Sequence, residues 1–482
     1  MGCGYSQKEG IDYFETFTAT AKAGSVRFVL GYIAHRGMGC CTVDVVKAFT
    51  TSNVRETIYV EQPDGFIDGG FQRDGKPRLV YLLKKGLEGL KQSGHHFQQD
   101  NNEALINCGM TQCETEPCLF YKWEGGNLLL ILCYIDDLLI GYDNEDDLKR
   151  FIFKYSLRYT IEQKPLRGFI GMQVTRDHDN ATITLSQEKY LKRMGEKFLG
   201  PGDLLRETKL PCTCDKKGAN GAYAHLALAA TEEERNEMKD KPYLALLATI
   251  LYASVMTRCD VCWHVSYLSR FASDPSPACY SALLVLANYL VTTAKDCLTL
   301  GGKIAPLELE TIRPPMDNDR LTSGIGLHTW SDGSWKINAN YAGYVVMAFN
   351  GAIDWGAKLI KVTMHSSSEI EIGAACIAGK RLQFFRNLSR ELKIKVGMNI
   401  PMLIDNSGAI DLCEKIGASK KTEHFQRWQH YCRYLVKHLI TKLYFVRTHE
   451  QVADQLTKMG DKTSFLRTKQ VMLNTPKEKL IN

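Results

Sequence analysis

The chain has 482 residues, 44% hydrophobic and 24% charged, which excludes a disordered or fibrous protein and supplies apolar material for several cores. Its net charge of +6 permits a polyanionic partner without demanding one. Sixteen cysteines lie scattered through apolar segments such as "INCG", "ILCY" and "AACIAG", the pattern of buried free thiols in a reducing compartment rather than of a secreted disulfide scaffold.

The longest apolar runs, 128–135 and 243–256, are too short to cross a bilayer, so no membrane partner and an intracellular location are expected. The start, "MGCGYS", matches the myristoylation pattern at Gly2 with Cys3 beside it, a short pattern often met by chance. Cys259 and Cys262 form a CxxC with His264 nearby, but no second pair stands at zinc-site spacing, which favours a structural role.

To about residue 205, strand-like runs ("CCTVDVV", "ETIYVEQ", "RLVYLL", "NLLLILCY") mix with helical stretches. In "SQEKYLKRMGEKFL" the apolar Tyr190, Leu191, Met194 and Phe198 recur at helical spacing, with Lys189, Lys192, Arg193 and Lys197 on other faces. Residues 214–242 are polar and read as a loop with a solvated helix, and 243–300 read as helical. After a Pro-containing connector come the strands "GLHTWSDGS", "YAGYVVMAF" and "GAIDWGA", then a helix over roughly 368–392 and the strand "MLIDN". A helix in "HFQRWQHYCRYLVKHL", the strand "KLYFVRT" and a helix in "QVADQLTKM" complete a mixed sheet with helices.

Asp136 and Asp137 sit between two strand-length apolar runs, which predicts a hairpin with the acids at its tip. Turn chemistry alone accounts for them. Asp44 is harder to explain, because it lies within the β-branched strand "CCTVDVV". A strand ending in one acid beside a hairpin carrying two would gather hard oxygen ligands of the kind Mg²⁺ prefers. Two such ions can activate a hydroxyl and stabilise a pyrophosphate leaving group.

At these residues the first 300 positions resemble the reverse transcriptase of copia-type LTR retrotransposons. "YSQKEGIDYFETFTATAK" resembles its fingers segment, "TVDVVKAFTTSNVRETIYVEQPDGF" its first catalytic block and "LLKKGLEGLKQSGHHF" the block lining the nucleotide pocket. "YIDDLLIG" resembles the YxDD box, and "LRGFIGMQV" with "LSQEKYLKRM" the primer grip and thumb. "YLALLATILYASVMTRCDVCWHVSYLSRFASDPS" is similar to the connecting segment. The resemblance implies a right-hand polymerase palm with partial fingers and thumb, in an α+β or mixed αβ fold. It implies that Asp44 and Asp136 hold metals with Asp137 assisting, and that Phe49 stacks beneath the incoming sugar. It implies too that Gln92 contacts the nucleotide and that Phe169, Ile170 and Gly171 position the primer end. Lys189, Lys192 and Arg193 would meet nucleic-acid phosphates; without the resemblance they read as a solvated face.

A second acid set follows: Asp332 in "HTWSDGSW", Glu369 and Glu371 in "HSSSEIEIG", Asp405 in "MLIDNSGAI" and Asp454 in "HEQVADQLTK". Scattered acids mean little alone, but their order and context resemble the ribonuclease H of the same retroelements. That resemblance implies metal binding by Asp332, Glu371, Asp405 and Asp454, with Glu369 in reserve. His449 would aid product or proton handling; an exposed loop histidine is the equal alternative. The expected cofactor is Mg²⁺ or Mn²⁺, two per centre. The expected partners are an RNA template, a DNA primer strand, RNA–DNA hybrid and deoxynucleotides, with a homodimer left open.

The resemblance divides the chain into reverse transcriptase (1–240), connection (241–322), ribonuclease H-like domain (323–462) and C-terminal tail (463–482). It begins inside the fingers segment, so the sequence reads as an N-terminally truncated piece of a Pol polyprotein without the preceding basic strand, whose cations grip the triphosphate. Glu88 and Gly94 stand where the family has Tyr and Pro, and Cys259 where it has Pro. The alternative is therefore a degenerate copy that binds nucleic acid without polymerising, with ribonuclease H activity alone retained. A lipid-anchored protein using Gly2 and Cys3 ranks far behind.

Overall fold

A computed structural model describes residues 2–70, 75, 79–200, 210–212, 223–335, 339–362, 364, 366–414 and 426–475. The chain divides into two compact units, residues 1–22 with 38–166, and residues 23–37 with 167–482.

The first unit is built on an antiparallel sheet of β1 (Gly39–Val45), β4 (Thr111–Gln112), β5 (Leu119–Glu124), β6 (Asn127–Tyr134), β7 (Asp137–Tyr142) and β8 (Ile161–Pro165). The order is β4-β5-β6-β7-β1-β8; β2 (Tyr59–Glu61) and β3 (Val80–Leu82) form a separate ribbon. Helices Ser93–Asn107 and Glu145–Ser156 cover one face, where Phe97, Leu105, Leu148, Phe151 and Tyr155 pack on Val43, Ile131, Leu138 and Ile140. The second helix starts on Asn144, whose side chain accepts from Asp146 N–H, and carries Glu145, Asp146 and Asp147 at its positive end. The apolar run of β6 is buried from Leu128 to Cys133, which explains its lack of alternation.

In the second unit, β9 (Gly168–Phe169), β10 (Met172–Asp177), β11 (Thr182–Ser186) and β12 (Leu298–Gly301) form an antiparallel sheet in the order β12-β11-β10-β9. Helices Glu188–Phe198, Tyr243–Met256, Cys262–Leu268 and Pro277–Thr292 share a core that includes Leu191, Leu246, Ile250, Trp263, Leu283 and Leu290.

The last region is a five-stranded mixed sheet in the order β15-β14-β13-β16-β17. β13 (His328–Ser334), β14 (Asn340–Ala348) and β15 (Gly351–Ile360) are antiparallel; β16 (Ile400–Ile404) and β17 (Thr441–Phe445) run parallel to β13. Helix Ser367–Glu391 lies on β13 and β14. The fold class is mixed αβ, as the sequence predicts.

Two local outcomes differ from the sequence reading. "QVADQLTKM" forms a 3-10 turn, Val452–Leu456, rather than a regular helix. Gln451 caps it by accepting from Ala453 N–H and donates to the Ser331 carbonyl, fixing the chain before a full helical turn can develop. Residues 463–482 contain helix Lys462–Leu473, whose Phe465, Thr468, Lys469, Met472 and Leu473 are buried at helical spacing. That helix closes on a buried ionic network. Arg258 donates to both carboxylate oxygens of Asp260 at 2.9 and 2.7 Å, Tyr289 donates to Asp260 at 2.7 Å, and Lys469 pairs with Asp296 at 2.5 Å. Burial pushes the Asp260 carboxyl up, but Arg258 outweighs it and holds the group below the ordinary carboxylate range. Gln455 donates to the Asp260 carbonyl at 3.0 Å, joining this network to the 452–456 turn.

Two candidate carboxylate centres

The first centre is made by strand register. Asp44, near the end of β1, faces Asp137 at the start of β7. Tyr134 pairs with Asp137, which leaves Ile135 and Asp136 as a two-residue hairpin loop. Ile135 has φ +59° while Asp136 does not share the positive sign, the pattern of a type II′ turn that normally asks for glycine first. A β-branched residue there costs about 1–3 kcal/mol. Val45 N–H donates to the Asp136 carbonyl at 3.2 Å and ties the tip to β1.

All three carboxylates are partly exposed. Burial raises Asp136, and the Asp44 charge adds to it. Burial likewise raises Asp137, followed by Asp136 and Asp44, with Lys164 opposing. Two acids at the half-open hairpin tip and one on the neighbouring strand supply the hard oxygen donors a divalent cation takes, although among the described residues it is the second centre whose oxygens already lie at mutual ligand distance.

Phe49 sits on the short helix Ala48–Thr51, edge-on to Phe97 at 6.3 Å between centroids. Gln92 is 1% exposed and spends its amide within the chain, accepting from Gln7 at 3.1 Å and donating to the Asp12 carbonyl at 2.9 Å. Phe169 is buried at the end of β9, and Ile170 and Gly171 turn the chain into β10 with φ +39° and +74°. Tyr252 donates to the Ile170 carbonyl, and a Cβ at Gly171 would stand 2.5 Å from that hydroxyl. Lys189, Lys192 and Arg193 are exposed on helix Glu188–Phe198, Lys192 paired with Glu188 at 2.6 Å.

The second centre is assembled from four separate elements. Asp332 lies on β13, and the parallel register of Thr329 with Met402 and Trp330 with Leu403, continued, sets it beside Asp405 just past β16. Asp454 comes from the 452–456 turn, and one carboxylate oxygen from each of these three lies within 4.8 Å of the others. Glu371 projects from helix Ser367–Glu391. Its placement depends on Gly333: a Cβ there would meet the backbone of Ile370 and Glu371 at 2.7 and 2.8 Å, so only glycine lets helix and strand approach backbone to backbone.

Asp332, Glu371 and Asp454 are buried and Asp405 is partly exposed. Burial first, then the charges of Asp454 and Asp405, pushes Asp332 up to about 7, against Lys458 and a hydrogen bond from Thr457. Burial, then Asp332 and Asp405, raises Glu371 well above its ordinary value. Its Oε2 is buried with no hydrogen-bond partner, an orphaned acceptor. A donor set of clustered carboxylates, mutually repelling and one with an unspent oxygen, fits a divalent cation.

His449 is exposed on the turn Thr448–Glu450. The neighbouring Thr448 donates to Asp405 at 2.8 Å, and Glu450 anchors the turn by accepting from Glu310 N–H at 2.7 Å and Thr311 N–H at 3.2 Å. Cys259 and His264 are buried, and Tyr223 and the His264 Nδ1 are 3.0 Å apart.

The sequence reading missed three residues that complete this centre. Thr457 bonds Asp332, Thr448 bonds Asp405, and Lys458 pairs with Asp454. For Lys458 a signal was present: an acid and a lysine four residues apart.

The first acids are neighbours through strand register, and the second set includes three whose oxygens lie close enough to hold a metal ion. Residues 1–201 match the family described as reverse transcriptase (RNA-dependent DNA polymerase). The retrovirus-related Pol polyprotein from transposon TNT 1-94 of Nicotiana tabacum is 28% identical over 473 residues, 96% of this chain and 33% of that protein. The one from transposon RE1 of Arabidopsis thaliana is 27% identical over 96% of this chain and 29% of its own length. The putative transposon Ty5-1 protein of Saccharomyces cerevisiae is 25% identical over 66% of this chain and 93% of its own length. The chain is thus similar to transposon Pol polyproteins, and it spans about a third of the length of the plant ones.

Among solved structures, a foamy viral protease-reverse transcriptase in complex with double-stranded DNA is 12% identical, with 90% of this chain and 61% of that chain covered and a TM-score of 0.43. The ribonuclease H1 of Halobacterium salinarum is 16% identical, with 27% and 93% covered and a TM-score of 0.21. No helix among the described residues is long and apolar enough to cross a membrane.

Proposed function

We propose that this chain is an RNA-directed DNA polymerase that also cleaves the RNA strand of RNA–DNA hybrids. The observation carrying the proposal is the pair of separate acid clusters, one on a hairpin facing its neighbouring strand and one gathered from four elements. The family match over residues 1–201 supports the first activity.

In this reading Asp44, Asp136 and Asp137 hold Mg²⁺ or Mn²⁺ at the palm, and Asp332, Glu371, Asp405 and Asp454 hold it at the second centre. Two cations at each centre would supply Lewis-acid polarisation of the attacking oxygen and charge for the leaving one. The chain's own residues do the rest. Phe49 lies beneath the incoming sugar, Phe169 with the Ile170–Gly171 turn sets the primer end, and Lys189, Lys192 and Arg193 meet backbone phosphates. Thr448 holds Asp405 in orientation, and His449, exposed beside it, aids product or proton handling. The partners are RNA template, DNA primer, hybrid and deoxynucleotides. The functional spans are 1–240, 241–322, 323–462 and 463–482.

Primer extension on poly(rA)/oligo(dT) tests the polymerase. Activity lost in Asp136→Asn/Asp137→Asn supports it, and equal signal from both proteins rejects it. The second reading, hybrid binding without polymerisation, is favoured by Gln92, whose amide is engaged by Gln7 and Asp12 rather than free for a nucleotide. Salt-dependent hybrid binding with no extension would select it.

A further inference from the structure

Lys458 lies four residues after Asp454, on the far side of the 3-10 turn, and its ammonium pairs with Asp454 Oδ1. The same charge acts on Asp332 and Glu371. One ammonium therefore faces four carboxylates in the metal-free centre. Two divalent cations would neutralise four ionised acids outright, leaving the lysine in excess at the Asp454 end. The lysine can leave: its side chain is 27% exposed, on a flexible stem that reaches solvent. Thr457, by contrast, is 1% exposed and bonded to both Asp332 and the Asp454 carbonyl, so the backbone stays fixed while the ammonium moves.

We propose that Lys458 is a built-in counter-ion that occupies the Asp454 end of the second centre and competes there with a divalent cation. The centre then fills in two unequal steps, the second requiring the ammonium to swing away, where it is free to meet a phosphate oxygen. This inference rests on the metal-binding reading of the second centre given above.

The test is Mn²⁺ titration of the full chain, followed by electron paramagnetic resonance of free Mn²⁺, without nucleic acid and in an Asp136→Asn/Asp137→Asn background that silences the palm. The expected result is one tighter and one weaker Mn²⁺ removed by Asp405→Asn. In Lys458→Met the weaker one should tighten roughly fivefold, and the melting temperature without metal should fall. Lys458→Arg should keep the unequal pair. Identical isotherms for the parent and Lys458→Met, both folded by circular dichroism, would overturn the counter-ion role alone. A parent with no Asp405-dependent Mn²⁺ would overturn the metal centre and the inference with it.

Discussion

The two acid clusters solve one electrostatic problem by different means. At the palm, sheet register and a two-residue turn place three carboxylates together, and all remain partly exposed, so solvent shares the cost of their repulsion. In the last region, four elements close around acids that are mostly buried, and burial, with repulsion added, raises Asp332 to about 7 and raises Glu371 well above its ordinary value. The palm keeps its charge in water, whereas the second centre keeps it in reserve with Lys458 as partial compensation. Local register suffices for the first arrangement; the second needs a completed fold.

The largest expected effect tests whether the clusters are independent. Asp136→Asn/Asp137→Asn should abolish primer extension and leave hybrid cleavage intact, while Asp405→Asn should do the reverse, each read on gels with labelled strands. Loss of both activities in either variant would break the comparison.

The next effect concerns the fold behind the second centre. Arg258→Met would take the guanidinium partner from buried Asp260, leaving it Tyr289 and the more distant Lys469, and should cost about 3–5 kcal/mol in urea denaturation. Removing an exposed pair such as Lys149 with Glu145 should cost less than about 0.5 kcal/mol.

A gain of stability should come from neutralising a catalytic-centre acid. Asp332→Asn should raise the metal-free stability at pH 8 by about 1–3 kcal/mol; Asp136→Asn, at the half-exposed tip, should gain less. The sign follows from protonation. Asp332 binds its proton more tightly folded than unfolded, so its favourable contribution is complete below its unfolded value and is lost as pH rises through about 7. Buried His264 and His328, lowered by burial to about 3 and 4, act oppositely and lose stability only as pH falls below their unfolded value. Melting curves between pH 6.5 and 8 should therefore fall with rising pH without metal and flatten with Mg²⁺. Gly171→Ala should cost about 1 kcal/mol or more, through its positive φ and the approach of its Cβ to the Tyr252 hydroxyl, measured by thermal melting.

Much of this was legible in residue order. Strand-length apolar runs and turn chemistry located β6, β7 and the Asp136–Asp137 tip, and the strand run around Asp44 located its partner. The second set was legible only through the resemblance, because Asp332, Glu371, Asp405 and Asp454 are distant in sequence and meet through a parallel register and one glycine approach. Lys458 escaped because a lysine near an acid normally reads as a surface pair. The 452–456 turn escaped because Gln451 and Gln455 spend their amides on distant carbonyls, a choice periodicity does not encode. Gln92, which the resemblance gives to the nucleotide, also bonds Gln7 and Asp12 of the N-terminal segment, contacts that no local pattern encodes.

The clasp of Arg258, Asp260, Tyr289 and Lys469, with Gln455 hooked onto the Asp260 carbonyl, has a practical consequence for anyone trimming the gene. A fragment cut at 323 and 462 would lose both the helix that bears Lys469 and the carbonyl that steadies the turn of Asp454. Such an excised piece should come out of expression misfolded, because the compact unit it is cut from also takes in residues 23–37 and 167–322. In this chain the five-stranded part is grafted, not bolted on.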